Sequence, residues 1–241
     1  MLVHGAGGTK ERWAPVIPKL AEHFTVYAMD RRGRGESRNE TVPYAIEREF
    51  EDVAALVNSI DAPVNLFGHS YGGICALEAS VLTSNIRRLV LYEPPIRPVG
   101  SQIHPPGIIE RLQALLDADD QEGVLITFMT ELVRMPEREL KLTTSLPAWP
   151  SRVAAAHTLP RELRAHEQYR FAPDRFKTMT TATLLLIGGD SPEHVWSSTE
   201  RLKVTLPDGR IVVLPGQQHV AMETAPGLLT REVMAFLLNG V

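Results

Sequence analysis

A serine held in a glycine turn and a histidine near the end of the chain are the residues best placed to do chemistry together. Ser70 lies in Gly68-His69-Ser70-Tyr71-Gly72, directly after the apolar run Val64–Gly68 and before a helical pattern. This is the G-x-S-x-G arrangement, a strand-to-helix turn that exposes a serine hydroxyl above a sheet. Side chains at 68 and 72 would collide with the adjoining strand and helix, and Gly73 lets the helix pack closely. The helix N-terminus presents oriented N–H groups and partial positive charge to a developing oxyanion. A serine hydroxyl needs a general base, and histidine serves near neutral pH. His219 has the best context of the eight histidines, on a loop after the last apolar run in Val213-Leu214-Pro215-Gly216-Gln217-Gln218-His219. The carboxylate expected to orient it is Asp190, which follows Leu184-Leu185-Leu186-Ile187-Gly188-Gly189. The chain order is then Ser, acid, His, and the carboxylate would fix the imidazole tautomer and stabilise imidazolium. Glu93, at the end of the preceding run, is the alternative acid.

The remaining candidates read more plainly. His4 sits inside a strand-end turn and suits structural hydrogen bonding, and His69 flanks the nucleophile as a structural or pocket-lining residue. Cys75 reads as buried packing and His194 as surface. Phe128, Met129, Met135 and Trp149 fit either an apolar pocket or a small core of their own. Arg31, Arg32 and Arg34 form a basic cluster too short for a phosphate-binding stripe, better read as a solvated or locally paired loop. The chain has 241 residues and a formal charge of −4, which gives no reason to expect nucleic acid as a partner. Its single cysteine excludes an intramolecular disulfide and a cysteine-based zinc site. No run of about eighteen apolar residues marks a membrane span, and the start lacks signal-peptide character. A cytoplasmic protein that does not engage membranes is the expectation.

The elements that must position these residues are short. Leu2–His4, Thr25–Met29, Val64–Gly68, Leu89–Glu93, Ala182–Ile187 and Ile211–Leu214 read as strands, mostly covered on both faces. Helical patterns lie between them at Trp13–Glu22, Tyr44–Ile60, Tyr71–Leu82, Ser197–Leu206 and Leu228–Leu238. In the second, Phe50, Val53, Ala54, Val57 and Ile60 form one buried stripe. Such alternation predicts a parallel sheet. From Pro94 to about Thr180 no strand is convincing, and amphipathic helices separated by prolines take over. The expected organisation is a core of residues 1–93 and 181–241 with a helical cap or lid at 94–180, since a structureless connection of that length would be exceptional.

These motifs together resemble the α/β-hydrolase fold superfamily over nearly the whole chain. His4-Gly5-Ala6-Gly7-Gly8 resembles its oxyanion loop, and Trp13 follows at the usual place. Asp30-Arg31-Arg32-Gly33-Arg34-Gly35-Glu36-Ser37 is similar to its D-x-R-G-x-G-x-S segment, and Leu89–Pro95 and the late histidine complete the series. The resemblance implies an oxyanion hole made by the backbone N–H groups of Ala6 and Tyr71, and some relatives carry their acid at the position of Glu93. If the family's strand order holds, with its N-terminal strands absent, the sheet of about six strands has order 2-1-3-4-5-6. The crossover direction reverses between the first and third strands, a switch point where open α/β sheets bind ligands. Thr25–Met29 would then be an edge strand with no protecting charge or proline. It is expected to pair with another chain, giving a homo-oligomer, or to be covered by natural residues preceding this sequence.

The function implied is that of a serine hydrolase cleaving a small-to-medium, largely apolar carboxylic ester through an acyl-enzyme, with no cofactor and no metal. Carbon–carbon bond hydrolysis, lactonase or perhydrolase chemistry on the same triad are alternatives. A ligand-sensing protein that keeps the fold is a further one.

Overall fold

The computed structural model describes residues 1–37, 43–97 and 104–239. Six parallel strands form one sheet: β1 (Leu2–Val3), β2 (Ala28–Met29), β3 (Val64–His69), β4 (Ile86–Tyr92), β5 (Ala182–Gly188) and β6 (Gly209–Leu214). The order is β2-β1-β3-β4-β5-β6, as expected. The central strands are the apolar ones for a simple reason: helices cover both faces, so Leu66, Leu89, Val90, Leu91 and Leu186 are all fully buried. β6 lies at the edge, where Val213 is exposed. β1 and β2 are only two residues each, paired Leu2↔Ala28 and Val3↔Met29. The expected Thr25–Met29 strand is therefore shorter than its β-branched run suggests.

Around the sheet lie α1 (Ile17–Ala21), α2 (Ile46–Asn58), α3 (Tyr71–Ala79), α9 (Glu193–Thr205), α10 (Ala221–Thr224) and α11 (Pro226–Asn239). On α2 the stripe Phe50, Val53, Ala54 and Val57 is buried as the spacing predicts, and Ile60, just past its end, packs partly buried against the core. Helix α3 has no polar face at all. Every residue from Tyr71 to Ala79 is buried, because the helix sits between β3, β4 and α2.

Between β4 and β5 the described residues contain no strand. They form α4 (Ile108–Asp117), α5 (Gln121–Thr127), a π-helical turn at Phe128–Leu132, α6 (Glu137–Ser145), α7 (Trp149–Ala154) and α8 (Leu159–Gln168). Prolines stand at the starts of α6, α7 and α8, where a missing N–H costs nothing. Among the described residues no helix is long and apolar enough to cross a membrane.

This helical segment is fastened to the sheet by charges rather than by apolar contact alone. Arg31 is fully buried; its guanidinium donates to Glu49 on α2 at 2.9 Å and to Glu162 on α8 at 3.1 Å. Arg34 also pairs with Glu162 and donates to Thr158 at 2.8 Å. The basic cluster is therefore paired, as one expectation had it; Arg31 and Arg34 are dry, while Arg32 pairs with Asp52 nearer the surface. Burial, reinforced by neighbouring Arg31, brings the Arg34 pKa down to about 9, so it remains charged near neutrality.

Candidate active site

The strand order decides where the site lies. From β1 the chain goes outward to β2 and then returns across β1 to β3, so the loops leaving β1 and β3 face one another at the carboxyl end of the sheet. They approach so closely that a Cβ on Gly72 would lie 2.3 Å from the carbonyl oxygen of His4. A Cβ on Gly68 would lie 2.5 Å from the carbonyl oxygen of Gly72. Both glycines are required by space, as the motif implied.

Ser70 takes φ 53° and ψ −124°, a strained conformation for a residue with a side chain. Its N–H is tied to Tyr92 O at 2.8 Å, and its carbonyl accepts from Gly73 and Ile74 in the first turn of α3. The turn thus lifts the Ser70 side chain into a cavity of about 90 Å³ that Ala6, Tyr71, Glu93 and His219 also line. Tyr71 is the first residue of α3, so its N–H has no acceptor within the helix. Ala6, on the β1 loop, lines the same cavity as Tyr71 and Ser70.

His219 Nδ1 lies 2.6 Å from Glu93 Oε2. Glu93 directly follows β4 with φ 48°, is 2% exposed, and is held from behind: Gly188 N–H donates to Oε1 at 2.8 Å and Ser191 Oγ donates at 2.5 Å. This corrects the expectation for Asp190. Asp190 is exposed, and neither a hydrogen bond nor an ion pair joins it to His219. The physical reason is the tight turn after β5. Ser191 N–H returns to Gly188 O at 3.1 Å, and Asp190 N–H is spent on Gln217 O at 3.0 Å. The turn therefore aims Ser191, not Asp190, at the site, and the alternative acid Glu93 occupies the place beside the imidazole.

The loop carrying His219 is pinned at three points. His69 Nε2 donates to His219 O at 2.8 Å, and the two rings lie 4.5 Å apart. The Tyr92 hydroxyl donates to Gln218 O and accepts from Ala221 N–H at 3.2 Å. Burial, together with His219 and Arg12, pushes the His69 pKa well below its ordinary value, so the ring is neutral. His4 is neutral for the same first reason, burial, with Arg31 and Arg34 adding to it. Its Nε2 accepts from Arg31 N–H at 3.2 Å, so Nδ1 is the nitrogen that donates to Gly5 O at 2.9 Å. His4 thus braces the β1 loop, as its place in the strand-end turn suggested.

The roof of the cavity comes from the helical segment and from α9. Phe128, Leu132, Val133 and Leu163 line it, and so do His104, His166 and Val195. Met129, Met135 and Trp149 are buried away from that lining, so of the four residues left open Phe128 belongs to the cavity. His194 is exposed yet stands at the cavity wall, which refines its reading as surface. His166 Nε2 donates to Pro95 O at 3.1 Å, and burial, with His104 beside it, brings its pKa to about 3. Spacing gave no signal for His104, His166 or Ser191, because each reaches the site from an element distant in the chain.

A second buried cluster lies under the β1 loop. Arg152 of α7 donates Nε–H to Gly7 O at 2.9 Å and meets Glu223 Oε1 at 3.3 Å. Arg12 reaches the same oxygen at 3.2 Å, and Thr143 of α6 donates to Glu223 Oε2 at 2.5 Å. Glu223 lies in α10, four residues after His219, so one carboxylate connects the helical segment to the β1 loop and to the segment that follows His219. Burial acts to raise its pKa, but Arg12 and Arg152 more than offset this and keep it ionised.

Known proteins share this fold. A solved α/β hydrolase from Sphaerobacter thermophilus is 35% identical, superposes with a TM-score of 0.82, and is matched over 98% of this chain and 91% of its own. The enol-lactonase of Burkholderia xenovorans superposes with a TM-score of 0.78 at 20% identity, over 98% of this chain and 89% of its own, a likeness of fold. A curated relative from Acinetobacter baylyi, (E)-2-((N-methylformamido)methylene)succinate hydrolase, is 23% identical over 98% of this chain and 89% of its own length. The model of the alpha/beta hydrolase family matches residues 1–232, and with the sheet order and the Ser70 turn it shows that the chain belongs to that family of hydrolases.

Proposed function

We propose that the protein is a serine hydrolase that cleaves a carboxylic ester through an acyl-enzyme. The observation that carries this reading is the 2.6 Å contact between His219 Nδ1 and Glu93 Oε2, made where both residues line one cavity with Ser70. With Nδ1 engaged by the carboxylate, Nε2 is the nitrogen that takes the Ser70 proton as Oγ attacks the acyl carbon. The Ala6 and Tyr71 N–H groups receive the negative charge that develops on the carbonyl oxygen. The tetrahedral adduct collapses as imidazolium returns the proton to the leaving alkoxide. Water, deprotonated by His219, then releases the acid and restores Ser70. Glu93 keeps the imidazole in the required tautomer and stabilises its charged form. The helices between β4 and β5 act as a cap that keeps bulk water from the acyl group.

The test is labelling by a fluorophosphonate probe alongside turnover of a short-chain aryl ester, in wild type and in Ser70→Ala. Ser70-dependent labelling and turnover are expected. Labelling that persists in Ser70→Ala, or ester turnover absent from a folded wild type, would sink the proposal.

A further inference from the structure

One buried guanidinium touches both segments that present main-chain N–H groups near Ser70. Ala6 and Tyr71 line the cavity with Ser70, and among the described residues no protein acceptor meets the N–H of either. Arg31 does not line the cavity, but it donates to the carbonyl oxygen of Gly5 at 3.3 Å. His4 Nδ1 donates to the same oxygen at 2.9 Å. Gly5 C=O and Ala6 N–H belong to one planar trans peptide and point opposite ways, so holding the oxygen sets the direction of the N–H. Two bonds to that oxygen also polarise the peptide and strengthen its N–H as a donor. The Arg31 guanidinium lies over the Tyr71 ring as well, 4.7 Å from its centroid. The far end of that ring is tied down: Tyr44 gives its one hydroxyl proton to Glu49 Oε1 at 2.6 Å, so the Tyr71 hydroxyl donates to the Tyr44 oxygen at 3.0 Å. Glu49 Oε2 accepts from Arg31 at 2.9 Å, which closes a circuit of contacts through Arg31, Glu49, Tyr44 and Tyr71. Burial disfavours the Arg31 charge, but Glu49 more than offsets this and holds the pKa above the ordinary arginine value.

We propose that Arg31 is a positioning residue for the oxyanion hole, fixing through Gly5 O and the Tyr71 ring the directions of the Ala6 and Tyr71 N–H groups. This rests on the Ser70 reading above and deepens it. Ester cleavage as derived there uses the two donors, while Arg31 acts through them and never meets the reacting atoms. Because Glu162 of α8 accepts from the same guanidinium at 3.1 Å, the helical segment is joined to both donors through this one side chain.

Phenyl butyrate and its thionoester, with C=S in place of C=O, read the donors, because sulfur accepts a hydrogen bond more weakly than oxygen. In wild type the ratio of kcat, ester over thionoester, is expected to exceed about tenfold. An ammonium at position 31 cannot serve Gly5 O, Glu49 and the ring face together. In Arg31→Lys, kcat for the ester should therefore fall at least about tenfold with KM within about twofold, and the ratio should shrink by a similar factor. Arg34→Lys controls for a weakened seam, since Arg34 pairs with Glu162 and Thr158 rather than with Gly5 or Tyr71; it should lose stability and keep the ratio. Should Arg31→Lys not fold, Glu49→Gln keeps the shape but weakens the anchor of Arg31 and Tyr44, and should lower the ratio at least about threefold. A ratio left unchanged by the folded variant, or lowered equally by Arg34→Lys, overturns the role of Arg31 while Ser70-dependent cleavage stands. A wild-type ratio near one removes the oxyanion donors and this role with them. A folded wild type that cleaves neither ester defeats the hydrolase reading itself, and the role of Arg31 falls with it.

Discussion

Arg152 Nε donates to the carbonyl oxygen of Gly7 at 2.9 Å, so a residue of helix α7 holds the loop that carries Ala6. Because the same guanidinium also meets Glu223, it couples the β1 loop to the segment following His219. Arg152→Ala leaves Gly7 O without this donor and Glu223 with Arg12 as its remaining cationic partner. Removing one member of a buried pair costs about 3–5 kcal/mol, which urea denaturation would read. In the folded fraction kcat is expected to fall about 10- to 100-fold with a smaller change in KM, since a displaced donor affects the transition state most. An equal rise in KM with kcat intact would contradict a positioning role.

Glu93 and Asp190 give opposite expectations. Glu93→Gln removes the charge that stabilises imidazolium and permits the wrong tautomer, and kcat should drop about 10³- to 10⁴-fold. Asp190→Asn should stay within about twofold of wild type, because Asp190 is exposed and its backbone N–H, not its carboxylate, makes the turn. Steady-state kinetics on an aryl ester decides it.

Gly5 offers a test of spacing at the nucleophile. A Cβ there would sit 2.9 Å from Ser70 Cβ and 3.1 Å from His69 Nδ1. Gly5→Ala must push the two loops apart, with an overpacking cost of about 1–3 kcal/mol. Turnover should suffer more than stability, by about tenfold or more, measured on protein shown to be folded by circular dichroism.

Buried histidines set the acid limit of the fold. Burial lowers the His166 pKa to about 3 and the His104 pKa to about 4, from the ordinary 6.5. Below pH 6.5 the unfolded chain binds these protons and the folded chain does not, so stability is full above that pH and is lost as pH falls toward 3. Each group contributes a slope of at most about 1.4 kcal/mol per pH unit in that window. In His166→Gln the dependence of the urea midpoint between pH 7 and pH 5 should be shallower than in wild type.

What the sequence disclosed followed the locality of each signal. Ser70, Gly68 and Gly72 form one turn, and the spacing alone carries the geometry. His219 could be placed because it follows the last apolar run. The carboxylate beside its imidazole could not, since that depends on how the turn after β5 meets the end of β4, and a turn one residue short gives Asp190 to solvent. Arg31, Arg34, Arg152 and Glu162 were illegible for a different reason. Charged side chains default to the surface, and only the packing of α7 and α8 on the sheet shows that these are dry and paired. The shortness of β2 likewise reflects how little of Thr25–Met29 finds a partner on β1.

Those dry ion pairs also bear on traffic. Swinging α7 and α8 away from the sheet would part Arg31 and Arg34 from Glu162, and Arg152 from Glu223, leaving unpaired charges in a partly dry seam. A hinge opening on each turnover would repeat that cost. Among the described residues no buried ion pair holds the π-helical turn at Phe128–Leu132 or the start of α9, and both border the cavity. Exchange of molecules with the cavity by a rigid swing of α7 and α8 is therefore disfavoured by the cost of unpairing buried charge.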